Sequence, residues 1–320
     1  MKVLLLGATG LLGRNVLERL LDDGRRVTAV VRREVNDLPT SDLLDIKVVS
    51  DMGRQSLVKA AAGCEAIINC AGCTDIGLLH LDDYMPANRD LCQTLLQVMM
   101  QCPVRTLIHV STANTVGGGT ADNPGTEDRE AAEPFASSLY VQSKQAGERL
   151  LLKAANGLED RRIIVVNPGF MIGAHDLKPS SGRMVDAGWR LPLMAAPGGG
   201  KSFVAVGDVA AAIVNALTMG RSGERYLLTG DNLTLRQFYA LCAEAGGYRQ
   251  LFVTLPDWLT RTAGRLGDLL RGMGLRTSLS SVNVGLLMAR EYFSNAKARA
   301  ELQMPQTPLV EAIKQYKGIQ

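Results

Sequence analysis

The stretch KVLLLGATGLLGRN, residues 2–15, joins an apolar run to three glycines spaced three residues apart. The run predicts a buried strand, and LLGRNVLERLLDDG, residues 11–24, predicts an amphipathic helix. Glycines between a strand and a helix allow a tight turn and a close approach of backbone amides to an anion. The spacing is one residue longer than G-x-G-x-x-G and indicates a variant of that pyrophosphate-binding turn. The turn is predicted to consist of Gly7, Thr9, Gly10, Leu11, Leu12 and Gly13.

Apolar runs and helical patterns alternate from this turn to about residue 168. The further runs read RVTAVV, IKVVS, AIINCA, VRTLIHVS and RRIIVVN. Continuous apolar strands separated by helices indicate a parallel sheet covered on both faces. We therefore expect an α/β fold, a doubly wound parallel sheet of Rossmann type, over residues 1–168 and completed by about residues 203–230. Residues 169–202 and 231–320 are expected to form a smaller, mostly helical C-terminal cap that binds substrate.

Composition excludes several classes of protein. With 320 residues and 46% hydrophobic content, the chain can bury a large core. The 35 basic and 32 acidic residues are interspersed, so no nucleic-acid partner is expected. No apolar run reaches the length of a membrane helix, about 18 residues. The six cysteines, without a secretory segment at the start, predict reduced thiols and a cytoplasmic location; their spacing predicts no metal site.

The end of the second strand indicates which dinucleotide binds. Arg32 and Arg33 stand where an NAD enzyme usually has an acid, and a guanidinium suits the 2′-phosphate of NADP. NADP is therefore the predicted cofactor, although Glu34 keeps NAD open. Asp51 and Met52, after the third strand, are assigned to the adenine edge of the cofactor site. Cys70, Ala71 and Gly72, at the end of the fourth strand, are assigned to its nicotinamide end.

Tyr140 and Lys144, in SSLYVQSKQAGERL at residues 137–150, are four residues apart and so share one face of a helix. The pair is either two solvated side chains or a device for proton transfer. A neighbouring ammonium and a cationic nicotinamide would lower the pKa of a phenol toward neutrality. Tyr140 would then be a general acid and base.

The glycine turn, HVSTANTVGG at residues 109–118 and YVQSK at residues 140–144 resemble the extended branch of the short-chain dehydrogenase/reductase superfamily. This branch comprises epimerases, dehydratases and dihydroflavonol-reductase-like enzymes. VVNPGFMIGAHDLKPSSG, residues 165–182, and GERYLLTGDNLTLRQF, residues 223–238, are similar to its dihydroflavonol-reductase-like and hopanoid-associated sugar-epimerase-like members. The resemblance covers nearly the whole chain.

The resemblance implies roles for individual residues. Tyr140 matches the catalytic tyrosine, and Lys144 matches the lysine that assists it and bonds the nicotinamide ribose. Thr112 matches the hydroxyl that holds the substrate oxygen, but STANTVG departs from the family pattern SSxxVYG, so Ser111 stays an alternative. Asn88 matches an asparagine in the helix before the fifth strand. Pro168 is assigned to the cofactor site, and the substrate site is assigned to Phe170, Met171, Lys178 and Arg183.

These features predict an NADP(H)-dependent oxidoreductase that reduces a ketone or aldehyde of a mid-sized, partly apolar molecule, or oxidises the alcohol. One alternative is a nucleotide-sugar epimerase or dehydratase that recycles its NAD(P). The other is a sensor or assembly factor that binds NADPH without chemistry. The resemblance also implies a homodimer through the helices at about residues 86–101 and 134–155.

Overall fold

The computed structural model describes residues 1–75, 77–177, 181–275, 277 and 279–319. Its strands are β1 (Lys2–Leu6), β2 (Arg26–Val31), β3 (Leu44–Val48), β4 (Ala66–Asn69), β5 (Thr106–Val110), β6 (Arg162–Pro168), β7 (Phe170–Ile172), β8 (Leu193–Ala196), β9 (Gly200–Ala205), β10 (Arg225–Leu228), β11 (Asp231–Thr234), β12 (Leu251–Thr254) and β13 (Arg290–Glu291). Its helices are α1 (Leu11–Asp22), α2 (Arg54–Ala60), α3 (Leu91–Gln101), α4 (Leu139–Ala155), α5 (Gly182–Gly188), α6 (Val206–Asn215), α7 (Leu235–Ala245), α8 (Asp257–Gly272), α9 (Ser281–Met288), α10 (Ala296–Leu302) and α11 (Leu309–Lys317). A π-helical turn, Pro86–Asp90, precedes α3.

Seven parallel strands form the central sheet in the order β10-β6-β5-β4-β1-β2-β3. Alternate side chains of each strand face opposite sides, so Val3 and Leu5 pack with α1 and α6, whereas Leu4 and Leu6 pack with α2 and α3. This confirms the predicted doubly wound sheet. Its switch in strand order lies between β1 and β4, where such sheets bind ligands beyond the carboxyl ends of the strands.

A second layer covers that edge of the sheet. Strands β7, β9, β11 and β13 form a small sheet, and β8 pairs with β12. Helices α5, α7 and α11 pack around an apolar cluster centred on Phe203 and Phe238, whose rings stack with centroids 4.2 Å apart. The layer therefore combines helices with short strands and lies where the substrate site is expected.

Two segments pack differently from the predicted division of the chain. Within residues 203–230, α6 and β10 join the first layer, but β9 pairs with β7, β11 and β13 instead of with the parallel sheet. Helix α10 lies in the segment assigned to the cap, yet Ala298 and Leu302 are buried in the core beside α6. The strand that ends at Ala205 turns directly into α6, so one apolar segment serves both layers. The domain boundary itself stays a prediction.

Among the described residues, no helix is both long enough and apolar enough to cross a membrane.

Candidate active site

The glycine turn after β1 is closely packed on one side and open on the other. Gly7 has a φ of +83°, and a Cβ there would lie 2.7 Å from the backbone nitrogen of Ala71. A Cβ on Gly13 would lie 2.0 Å from the Gly7 carbonyl oxygen. Gly10 precedes α1, and the nearest atom to a Cβ there would be 3.5 Å away. The turn therefore lets β4 and α1 approach β1 and leaves an anion room at the helix N-terminus, which fits a dinucleotide pyrophosphate.

A cleft of about 800 Å³ runs from this turn past the end of β2. Thr9, Gly10, Leu11, Arg32 and Arg33 line it, and both arginine side chains are exposed. The side chain of Leu12 is instead buried in the core, so only its backbone faces the turn. The geometry places these predicted residues around one cleft, but their contacts to a cofactor stay a prediction.

The loop at residues 173–177 closes one side of the cleft. Asn15 donates to the carbonyl oxygen of Ala174 at 3.0 Å, and His175 Nε2 lies 2.8 Å from a Glu18 carboxylate oxygen. Glu18 also pairs with Arg14 at 2.8 Å. The loop after β7 is thus attached to α1, and sequence reasoning missed this attachment because its partners are more than 150 residues apart.

Asp51 and Met52 have structural contacts of their own. The Asp51 carboxylate accepts a hydrogen bond from the backbone of Gly53 at 2.6 Å and from the Ser56 hydroxyl, so it orders the loop that leads into α2. Met52 packs against the core on the α2 side. Their assignment to the adenine edge stays a prediction.

The loop after β4 is fixed by Asn88. Its side chain accepts a hydrogen bond from the Cys73 amide at 2.8 Å and donates to the Cys73 carbonyl at 2.9 Å and to Ser143 at 2.8 Å. A Cβ on Gly72 would lie 3.0 Å from the Asn88 amide oxygen and 3.4 Å from Lys144 Nζ. Asn88 is fully buried. Its hydrogen bonds connect the loop after β4 to α4, the helix that carries Tyr140 and Lys144.

Tyr140, Thr112 and Lys144 meet at the carboxyl edge of the sheet. Thr112 and Tyr140 line the same cavity, and Lys144 Nζ donates to the Val110 carbonyl at 2.7 Å. Burial raises the pKa of Tyr140 to about 12, against the weaker opposing effect of the neighbouring Thr112 hydroxyl. Burial also lowers the pKa of Lys144.

The predicted lowering of the Tyr140 pKa by Lys144 is therefore wrong for the protein groups alone. The ammonium is directed to the Val110 carbonyl and lies beside Gly72, and it is not among the groups that act on the phenol. Two side chains on the same face of a helix need not shift each other's pKa strongly when one of them is turned toward the sheet. The predicted lowering of the phenol pKa in the presence of a cationic nicotinamide stays a prediction.

Ser111 and Thr112 point to different environments. Ser111 donates to the Glu148 carboxylate at 3.1 Å in the buried interior. Glu148 also accepts from Asn167 at 3.1 Å and pairs with Arg225 at 3.1 Å. Thr112 instead lines the cavity beside Tyr140. The geometry favours Thr112 over Ser111 as the hydroxyl that contacts substrate.

That cavity has a volume of about 320 Å³. Pro168, Phe170, Met171 and Arg183 line it together with Thr112 and Tyr140, whereas Lys178 lies outside the described residues. Thr74 lines both this cavity and the dinucleotide cleft, so the two spaces adjoin. The cavity walls combine aromatic surface with a few charged groups, as expected of a site for a partly apolar molecule.

Lys201 and Glu291 also line this cavity and were missed by sequence reasoning. They are register partners on β9 and β13. Burial lowers the pKa of Lys201 and raises that of Glu291 to about 7, and Lys201 partly offsets the second shift. One carboxylate oxygen of Glu291 is buried without a hydrogen-bond partner in the described part of the chain. A lysine directly before the apolar run SFVAV was the available signal, but its partner lies 90 residues further on.

The fold is a parallel sheet with a glycine turn, and a tyrosine and a lysine stand at its carboxyl edge beside a cavity. These features are those of a nicotinamide-dependent oxidoreductase. The model of the NAD dependent epimerase/dehydratase family matches residues 3–228, so the chain belongs to this family. It is an NAD(P)-dependent oxidoreductase of the extended short-chain dehydrogenase/reductase type.

Two curated relatives cover most of the chain. A putative dihydroflavonol 4-reductase of Synechocystis sp. is 25% identical over 96% of this chain and 91% of its own length. Sterol demethylase protein B of Methylococcus capsulatus is 29% identical over 84% of this chain and 81% of its own length.

Solved structures agree in fold. The crystal structure of gox2253 superposes with a TM-score of 0.81 at 24% identity, covering 99% of this chain and 96% of that one. The UDP-glucuronic acid 4-epimerase of Bacillus cereus, in complex with UDP-glucuronic acid and NAD, gives a TM-score of 0.74 at 16% identity over 99% and 98% of the two chains.

Proposed function

We propose that the protein is an NADPH-dependent reductase of a ketone or aldehyde in a mid-sized, partly apolar substrate, and the corresponding dehydrogenase in reverse. The observation that carries this proposal is that Thr112 and Tyr140 stand together on the wall of a cavity that adjoins the dinucleotide cleft. The relatives named for a dihydroflavonol and for a sterol support an apolar substrate.

NADPH would supply the hydride, and the protein would supply the proton and the orientation. Thr112 Oγ1 donates a hydrogen bond to the substrate carbonyl oxygen, and the Tyr140 phenol donates its proton to the same oxygen as negative charge develops there. Lys144 lies beside Gly72, where its ammonium can bond the nicotinamide ribose. A phenol with a pKa of about 12 is protonated at neutral pH, so Tyr140 is in the correct state to act as an acid in the reductive direction.

Arg32 and Arg33 support NADPH over NADH. Within the part of the chain that the structure describes, neither guanidinium forms an ion pair, and both are exposed on the cleft. We expect Arg32→Gln with Arg33→Gln to weaken NADPH binding by about tenfold or more, because charge-assisted bonds to the 2′-phosphate are lost. NADH binding to the same variant is the control. An equal loss for both dinucleotides would contradict the assignment.

Arg183 and Lys201 favour a second candidate, a nucleotide-sugar epimerase or dehydratase that recycles its cofactor. Both cations line the cavity and suit a diphosphate. This function requires no net oxidation of NADPH, which distinguishes it from the first. An intact Thr112, Tyr140 and Lys144 argues against a sensor without chemistry. The homodimer through α3 and α4 and the cytoplasmic location stay predictions.

The test is incubation of the purified chain with deuterium-labelled NADPH, first with a panel of apolar cyclic ketones and then with UDP-sugars. Oxidation with transfer of deuterium to a ketone product supports the reductase. An isomerised sugar of unchanged mass without oxidation supports the epimerase instead. Tyr140→Phe is expected to reduce turnover by about a thousandfold while cofactor binding persists. Unchanged turnover in that variant would refute the mechanism.

A further inference from the structure

Helix α8 exposes a stripe of large apolar side chains to solvent. Trp258, Leu266, Leu269 and Met273 recur at intervals of eight, three and four residues, which places them on one face. Between 55% and 68% of the surface of each is exposed. Leu259 borders the stripe and is also exposed.

The opposite face of α8 packs closely against the chain that follows it. A Cβ on Gly267 would lie 2.2 Å from the Leu279 carbonyl oxygen, and one on Gly264 would lie 3.1 Å from Ser281 Cα. Two glycines therefore allow α8 to lie close to α9, and this contact fixes which side of α8 faces outward. The apolar stripe is a consequence of that packing and is not itself covered by any part of the chain that the structure describes.

The charged residues of α8 lie along one side of the apolar stripe. Asp268 accepts a hydrogen bond from the Ser281 backbone at 3.1 Å, and Asp257 lies beside Gly198. Both carboxylates of the helix thus contact the body of the protein, although both residues are exposed. Arg261 and Arg265 lie along the edge of the stripe and line a neighbouring cavity. The helix carries three arginines against two acids, so its exposed surface combines apolar area with a net positive charge.

We propose that α8 docks the protein onto a lipid bilayer that carries anionic headgroups. A helix lying in the membrane interface needs an apolar face with tryptophan or leucine and cationic groups at its border, and α8 has both. Each arginine near an anionic surface adds to the attraction. A second copy of the chain suits this face less well, because a two-fold contact would bring together two helices that each carry three arginines against two acids.

The cavity beneath α8 gives the docking a consequence for catalysis, which rests on the proposed function. This cavity has a volume of about 610 Å³, and its walls include Arg261, Arg265, Val284 and Met288. Glu291 lines both this cavity and the catalytic one. An apolar substrate dissolved in the bilayer would therefore reach Tyr140 from the α8 side, passing Glu291, while the cofactor occupies the cleft beside Thr74.

The test is co-sedimentation of the full chain with vesicles of phosphatidylcholine alone or mixed with phosphatidylglycerol; it needs neither substrate nor cofactor. We expect binding to the mixed vesicles that weakens as salt is added. Leu269→Glu should lower the partition coefficient by about tenfold or more, because it replaces buried apolar surface with a charge that the lipid repels. Leu79→Glu, at another exposed leucine, is the matched control and should bind as the unaltered chain does.

The cationic contribution to binding is tested with the double variant Arg261→Gln, Arg265→Gln. The control is the double variant Arg54→Gln, Arg299→Gln, which removes the same charge at exposed sites away from α8. Only the first pair should weaken binding to anionic vesicles, by about tenfold. Equal effects of both pairs, or no binding to either vesicle, would overturn the proposal. Conversion of a dimer to a monomer by Leu269→Glu, seen by light scattering, would show that α8 binds a second copy instead.

Discussion

Glu291 provides a sharp test of the reasoning about the catalytic cavity. Burial raises the pKa of its carboxyl from an ordinary 4.5 to about 7, although Lys201 on the neighbouring strand acts in the opposite direction. One of its oxygens is buried without a hydrogen-bond partner in the described chain. Ionising this group therefore costs the folded state more than it costs the unfolded state.

The magnitude follows from the linkage between proton binding and folding. Each tenfold difference in proton affinity corresponds to about 1.4 kcal/mol, so the shift corresponds to about 3 kcal/mol, and to about 2 kcal/mol after allowing for the partial exposure of the side chain. Between pH 4.5 and 7 the folded state binds more protons at this site than the unfolded state does. Its contribution to stability is therefore complete below pH 4.5 and is lost as the pH rises through 7.

Glu291→Gln should therefore increase the free energy of unfolding by about 2 kcal/mol at pH 8 and change it little at pH 4.5. Urea denaturation of both chains at the two pH values measures this difference. Glu159→Gln, at an exposed glutamate, is the control and should show no such pH dependence. An equal effect of Glu291→Gln at both pH values, or a loss of stability at pH 8, would refute the conclusion that the ionised Glu291 carboxylate destabilises the folded state.

Two further predictions concern the packing of the site and its hydroxyl. Gly147→Ala should lower the free energy of unfolding by about 2–3 kcal/mol, because its Cβ would lie 2.1 Å from the Asn88 carbonyl oxygen. Gly207→Ala, with open space around it, should raise the free energy of unfolding by about 0.5–1 kcal/mol. Urea denaturation compares the two variants, and equal effects would contradict the crowding at Gly147. Thr112→Ala should reduce kcat by about tenfold to a hundredfold in a reductase assay, since it removes a donor to the carbonyl oxygen, and Thr112→Ser should restore most of it. Ser111→Ala should instead cost stability more than turnover, and a larger loss of kcat in this variant than in Thr112→Ala would reverse the assignment.

The central sheet could be predicted from sequence because its determinants are local. Each strand of a parallel sheet buried on both faces is a continuous apolar run, and the glycine turn identifies where the ligand edge lies. Tyr140 and Lys144 could be found for the same reason, since a spacing of four residues within one helix places both side chains on the same face. These patterns need no knowledge of distant contacts.

The remaining parts of the site depend on contacts between distant segments. Lys201 and Glu291 meet only because β9 leaves the parallel sheet and pairs with β13, and no periodicity of either segment predicts that register. Likewise, Ser111 and Thr112 are neighbours in sequence, and only the position of Glu148 on α4 decides which hydroxyl is turned inward. The direction of the Tyr140 pKa shift was missed because burial, the larger effect, has no sequence signature of its own.

The volumes of the two cavities connect the proposed chemistry with the proposed docking. The cavity that holds Thr112 and Tyr140, at about 320 Å³, is at the small end of the range for ligand sites, about 300–1,000 Å³. A polycyclic substrate whose carbonyl reaches Tyr140 must then extend beyond this cavity, and the larger space under α8, reached past Glu291, is available to it. An ionised carboxylate at that position would oppose the passage of an apolar ring system, whereas a protonated one would not. The raised pKa of Glu291 keeps the carboxyl largely neutral below about pH 7, so under the proposed docking the same burial that costs stability at higher pH would leave the path from the bilayer to Tyr140 passable.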